Sequence, residues 1–134
     1  MKIKQDPLAT LEYDEGRNIL FFRVKQDEEI DLPQMTEMLQ YVEEFLGQKK
    51  HYAVIDFGGS LTSTNEARRK YADSEYIKGY RLADAFIVKS LGVRLVANFF
   101  INVTKPKVRT MLFTNDREAV KWIESLKKQN KVVN

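Results

Sequence analysis

"DLPQMTEMLQYVEEFLGQKKHYAVIDF", residues 31–57, holds a helix with both ends marked, followed by a short apolar strand. Asp31 is placed to cap the helix, Gln34 completes a capping box, and Pro33 suits the first turn. Leu32, Met35, Met38, Leu39, Val42, Phe45 and Leu46 recur at helical spacing and predict one apolar face. Gly47 is expected to stop the helix as a left-handed cap. "HYAVIDF" then reads as a strand of the buried type.

Upstream, "LATLEYDEGRNILFFRV" (8–24) reads as a hairpin, with runs Leu8 to Tyr13 and Asn18 to Lys25 around a turn centred on Gly16. Downstream, a second helix is predicted to begin at Ser63 or Thr64, with Ser63 and Glu66 forming a capping box. "LADAFIV" (82–88) is the next strand. Ser90 can cap a third helix, "LGVRLVANFFINV" (91–103), which is apolar nearly all round and so predicts deep packing. Pro106 bars its continuation. "KVRTMLF" (107–113) is the last strand and "TNDREAVKWIESLKKQN" (114–130) the last helix, opened by Asn115 with Glu118. Ala119, Trp122, Ile123 and Leu126 form its expected buried stripe, and Lys127 and Lys128 suit its negative dipole end. Alternating strands and helices require a largely parallel sheet with right-handed crossovers. The opening hairpin adds an antiparallel pair. The expected fold is therefore α/β, a mixed five-stranded sheet with four helices, in one domain over residues 1–134.

Composition narrows the chemistry. With 134 residues, 43% of them apolar and 31% charged, the chain is an ordinary globular sequence. It has no cysteine, which removes disulfides and thiol catalysis, and its single histidine, His51, can build neither a zinc site nor a base–nucleophile pair by itself. His51 is expected at the surface or a strand edge. No cofactor and no metal are implied. No apolar run reaches the roughly 20 residues that span a bilayer, and "MKIKQDPLAT" lacks a signal-peptide core, so a cytoplasmic location is expected. A net charge of +3 does not argue for nucleic acid. Residues 1–50 carry 7 basic and 11 acidic groups, whereas residues 105–134 carry 8 and 3, so a negative first third precedes a positive tail. That asymmetry is either a solvated surface of two signs or a basis for head-to-tail contacts between copies.

The stretch "GGSLTSTNEA" (58–67) is the most site-like. Gly58 and Gly59 before a helix start can present amides to an anion, and Ser60, Thr62, Ser63 and Thr64 offer hydroxyls for a phospho-switch. It matches neither Gly-Lys-Ser/Thr nor Gly-x-Gly-x-x-Gly, and a turn followed by a capped helix satisfies the same pattern. Asp56 ends a strand beside it and is expected to bond loop amides. Tyr71, Tyr76 and Tyr80, interleaved with cations, offer a ligand or partner surface, or else cover a helix-to-strand connection with their hydroxyls in water. Arg94, Lys105 and Lys107, with Arg109, make a candidate basic patch for an acidic partner surface or lipid headgroups.

The order of elements resembles the STAS domain of bacterial anti-sigma-factor antagonists. "LVANFFINVTKPKVRTMLFTNDREAVKWI" (95–123) and "TNEARR" (64–69) resemble the bacterial SpoIIAA-like proteins, some of whose relatives are described as similar to CRAL-TRIO lipid-transfer domains. The resemblance implies that fold and a regulatory role through a phosphorylated serine in an Asp-Ser-Ser-Gly-like turn, a turn that "GGSLTSTNEA" lacks. The function expected is a non-enzymatic regulatory or protein-interaction module that binds a protein partner or self-associates as a homodimer. The alternative is a carrier of a small apolar or lipid-like ligand, held between the sheet and the third helix.

Overall fold

The computed structural model describes residues 1–25, 28–57, 63–89 and 107–133. In chain order these form β1 (Lys2–Gln5), β2 (Ala9–Asp14), β3 (Ile19–Val24), α1 (Leu32–Leu46), β4 (His51–Asp56), α2 (Asn65–Asp73), α3 (Glu75–Tyr80), β5 (Arg81–Ile87), β6 (Thr110–Phe113) and α4 (Asp116–Val133). One sheet runs β1-β2-β3-β4-β5-β6, antiparallel through β3 and parallel from there on. The mixed α/β architecture is as expected, but the sheet has six strands, not five. The extra strand is β1, "KIKQ", which is mostly exposed and has a single apolar residue. It carries no burial signal, and only its pairing with β2 makes it a strand.

The cap chemistry follows the sequence closely at α1. The Gln34 N–H donates to Asp31 Oδ1 (2.9 Å), and the Asp31 N–H donates to Gln34 Oε1 (3.1 Å). Gly47 follows with φ +61° and ψ −140°, a combination open only to glycine and outside the left-handed helical cap. At the hairpin the positive φ falls on Asn18 (+58°), not on Gly16. Its side chain holds it there, accepting from the Tyr13 hydroxyl (2.5 Å) and donating to the Lys50 carbonyl (3.1 Å). The expected second helix is two: Ser74 ends α2, and its hydroxyl accepts the Ile77 N–H (3.2 Å) to start α3. The helix expected over 91–103 lies outside the described residues.

Strand alternation assigns the two faces of the sheet. Leu20, Phe22, Val24, Ala53 and Ile55 pack with Met35, Met38 and Val42 of α1 and Ala67 of α2. Ile19, Tyr52, Val54, Ala83, Ala85 and Ile87 pack with Ala119, Ile123 and Leu126 of α4. Trp122 is only half-buried, against Phe113 at 5.6 Å between ring centroids, so it flanks the α4 stripe without belonging to its centre.

Candidate functional site

The carboxyl ends of the parallel strands are where open α/β sheets place ligands. Here β3 ends near Arg23 and β4 at Asp56, residues directly opposite in the parallel register. Both fall on the α4 face by alternation. Asp116 opens α4, just after Asn115, whose Oδ1 accepts the Glu118 N–H (2.9 Å). These elements converge on one guanidinium. Arg23 Nη2 donates to Asp116 Oδ2 (2.6 Å), Nη1 to Asp116 Oδ1 (3.3 Å), and Nη1 also to Asp56 Oδ2 (3.2 Å). The bond to Asp116, opposed by partial burial and supported by the charges of Asp116 and Asp56, raises the Arg23 pKa. The guanidinium also lies 5.6 Å from the centre of the Phe21 ring.

Two clefts adjoin this cluster. One, of about 460 Å³, lies between the strand ends and α4 and includes Asp56, Ile87, Lys89 and Asn115. The other, of about 400 Å³, is a groove between β3 and α4 walled by Arg17, Arg117 and Lys121 over Phe21 and Val120. Arg17 meets Asp14 at 3.7 Å and Lys121 meets Glu118 at 4.0 Å. The Lys121–Glu118 pair is exposed and the Arg17–Asp14 pair partly so; such surface pairs are worth about 0–1 kcal/mol, so an incoming carboxylate can displace them. Arg117 makes no ion pair among the described residues. The groove thus has an apolar floor and a rim of three cations, and the Arg23–Asp116 pair completes its lining.

A second polar cluster is closed to solvent. His51, Arg81 and Asp84 are buried between β4, β5 and the α2–α3 layer. Arg81 Nη1 donates to Asp84 Oδ1 (2.5 Å) and to the Tyr71 hydroxyl (2.9 Å), which itself donates to Asp84 Oδ2 (2.5 Å). Arg81 Nε donates to His51 Nε2 (3.0 Å). That nitrogen therefore accepts, and Nδ1 carries the proton toward the Lys49 carbonyl (2.8 Å). Burial, together with the charge of Arg81, pushes His51 down to about 3. The surface or strand-edge position expected for His51 is therefore corrected, because its imidazole is wholly enclosed. The cause is Arg81, thirty positions along the chain, which supplies the partner that makes a buried histidine tolerable. Burial raises Tyr71 well above the usual tyrosine value.

The residues singled out in the sequence do not gather in one place. Gly58, Gly59, Ser60 and Thr62, and with them Arg94 and Lys105, lie outside the described residues. Thr64, not Ser63, caps α2, its hydroxyl accepting the Ala67 N–H (3.1 Å). Ser63 instead forms a parallel bridge with Ile30, and its carbonyl accepts from Arg68 Nη1 (2.5 Å). Tyr71 points inward to the buried network. The Tyr76 hydroxyl donates to the Gly47 carbonyl (2.7 Å), and its ring meets Tyr80 at 5.1 Å. These tyrosines belong to the α1–α3 side of the sheet, opposite the groove. Lys107 is exposed just before β6. Asp56 bonds Arg23; the loop at 58–62 whose amides were expected to bond it lies outside the described residues. Arg23 and Asp116 carry no local motif; the only sequence signal is that one ends a strand and the other starts a helix. Among the described residues no three His, Cys, Asp or Glu side chains gather as a metal site, and no helix is long and apolar enough to cross a membrane.

Residues 12–127 match the family model described as Domain of unknown function (DUF7793), and the chain belongs to that family. Among solved structures it is similar to an uncharacterised DUF3478-family protein from Shewanella loihica PV-4, described as having a SpoIIAA-like fold. That similarity has a TM-score of 0.59 and 19% identity, covering 86% of this chain and 91% of that one. The fold is therefore SpoIIAA-like. A protein of unknown function from Arthrobacter sp. FB24 aligns at 20% identity with a TM-score of 0.32, over 85% of this chain and 97% of that one. No curated protein matches significantly.

Proposed function

We propose that this DUF7793 member is a non-enzymatic, regulatory protein-interaction module that receives an acidic segment of a partner protein in the groove between β3 and α4. The observation that carries this reading is the pairing of an apolar floor, Phe21 and Val120, with the three-cation rim of Arg17, Arg117 and Lys121. Acidic side chains of a partner would replace the weak Asp14 and Glu118 pairs while an apolar side chain covers Phe21. The strand-end carboxylates speak for binding over turnover. A candidate general base needs an unshared position within reach of a substrate proton. Asp116 is held bidentate by Arg23, Asp56 shares the same guanidinium, and the imidazole is enclosed. The carrier reading has less support, since charged residues are five of the seven that line one cleft and six of the eight that line the other. The third helix, where a carried ligand was expected, lies outside the described residues.

The test is affinity capture from cells that make the protein, comparing wild type with an Arg117→Glu/Lys121→Glu variant. The reading expects a protein captured by wild type and lost by the variant. It fails if every captured protein is retained by the variant, or if a hydrolase and phosphatase screen finds turnover that Asp56→Asn abolishes.

A further inference from the structure

The two outer edges of the sheet are built differently. An edge strand exposes unpaired N–H and C=O groups that invite another strand, and proteins blunt such edges with charge, lysine above all. β1 is blunted, with Lys2 and Lys4 in four residues. β6, "TMLF", has no charge, and among the described residues no strand pairs with its outer side. The Arg109 and Phe113 carbonyls accept from the Asp84 and Val88 N–H groups, both at 2.9 Å. In a parallel ladder the intervening residues then direct their backbone groups the other way. Thr110 and Leu112 therefore present N–H and C=O outward. Met111 lies on the α4 face at 47% exposure, high for a residue so apolar within a sheet.

We propose that β6 is a self-association edge, where two copies of this chain pair antiparallel about a twofold axis at Met111. Outward-facing residues must oppose one another, which sets Thr110 against Leu112 of the second copy and the reverse. That register makes about four backbone hydrogen bonds between copies. It places Met111 opposite Met111, a non-hydrogen-bonded pair whose side chains meet on the α4 face. It also sets Arg109 opposite Phe113 of the second copy, a cation facing an aromatic ring. No like charges oppose one another within the paired residues, so the edge is complementary to itself, as a twofold interface requires. Space allows it. α4 packs chiefly over β5 and its neighbours. The two β5 strands would lie three strand spacings apart, roughly 14 Å. Packed helices need about 8–10 Å, and Met111 with the half-buried Trp122 can fill the remainder from both copies.

The chain has no cysteine, so one introduced cysteine reports contact between copies alone. Met111→Cys would sit at a separation of about 4.5 Å between Cα atoms, within the range a disulfide spans. Under mild oxidation it should form a covalent dimer, whereas Ile3→Cys, exposed on the opposite edge, should not. By light scattering after size exclusion, wild type should be a dimer and Met111→Lys a monomer with an unchanged circular dichroism spectrum. A monomeric wild type, a Met111→Lys protein that remains dimeric, or equal cross-linking from Ile3→Cys would each overturn the proposal. None of these results depends on the groove reading, because Arg117 and Lys121 are untouched.

Discussion

Arg81 Nε donates to His51 Nε2 at 3.0 Å, wholly inside the protein. A protonated imidazole would place a second charge against the guanidinium, with no acceptor for the new proton. Burial disfavours the charged imidazole most, and this repulsion adds to it, so His51 falls from 6.5 to about 3. The consequence is a pH dependence of known sign. As pH falls through 6.5 the unfolded imidazole takes a proton that the folded one refuses until about 3. Stability fully present above 6.5 is thus lost progressively on the way down, at up to about 1.4 kcal/mol per pH unit. Urea unfolding between pH 7.5 and 5, above the carboxylate range, measures it. His51→Gln, whose Oε1 can accept from Arg81, should flatten the slope. An unchanged slope would show that His51 is already protonated when folded, or free to become so.

Asp84 and Tyr71 close the same network, and their loss should differ in size. Tyr71→Phe removes one hydroxyl from between two charges and should cost about 1.5–3 kcal/mol. Asp84→Ala strands a buried guanidinium and should cost about 3–5 kcal/mol. Chemical denaturation of both variants decides the matter, and an Asp84 variant milder than the Tyr71 one would contradict the assignment.

The α2 cap yields a smaller, cleaner number. Thr64→Ala removes the acceptor for the Ala67 N–H and should destabilise by about 1 kcal/mol, while Thr64→Ser should restore most of it. A neutral Thr64→Ala would move the cap to another residue.

These contrasts mark what the sequence could disclose. The α1 box is legible because Asp31 and Gln34 are three positions apart and bond each other. Ser63 and Thr64 are both capping residues, and the choice between them falls to the bridge that pairs Ser63 with Ile30, a contact no local pattern encodes. β1 carries no local signal, because "KIKQ" buries almost nothing. The enclosure of His51 rests on a partner thirty positions away, and the Arg23 cluster joins residues 33 and 93 positions apart. Such groupings follow from the order of strands in the sheet, not from spacing along the chain. Charge asymmetry was visible in the sequence, but the meeting of its basic part with Phe21 was not.

The central claim, that the β3–α4 groove receives acidic protein segments, is tested most directly by titrating the protein with a synthetic Glu-rich peptide carrying one leucine. Fluorescence anisotropy at low and high salt, for wild type and for Arg117→Glu/Lys121→Glu, gives the readout. Binding that weakens as salt rises and falls at least tenfold in the variant is the predicted result. Tenfold corresponds to about 1.4 kcal/mol. Binding that is indifferent to salt and equal in the two proteins, or no binding by either, would contradict it.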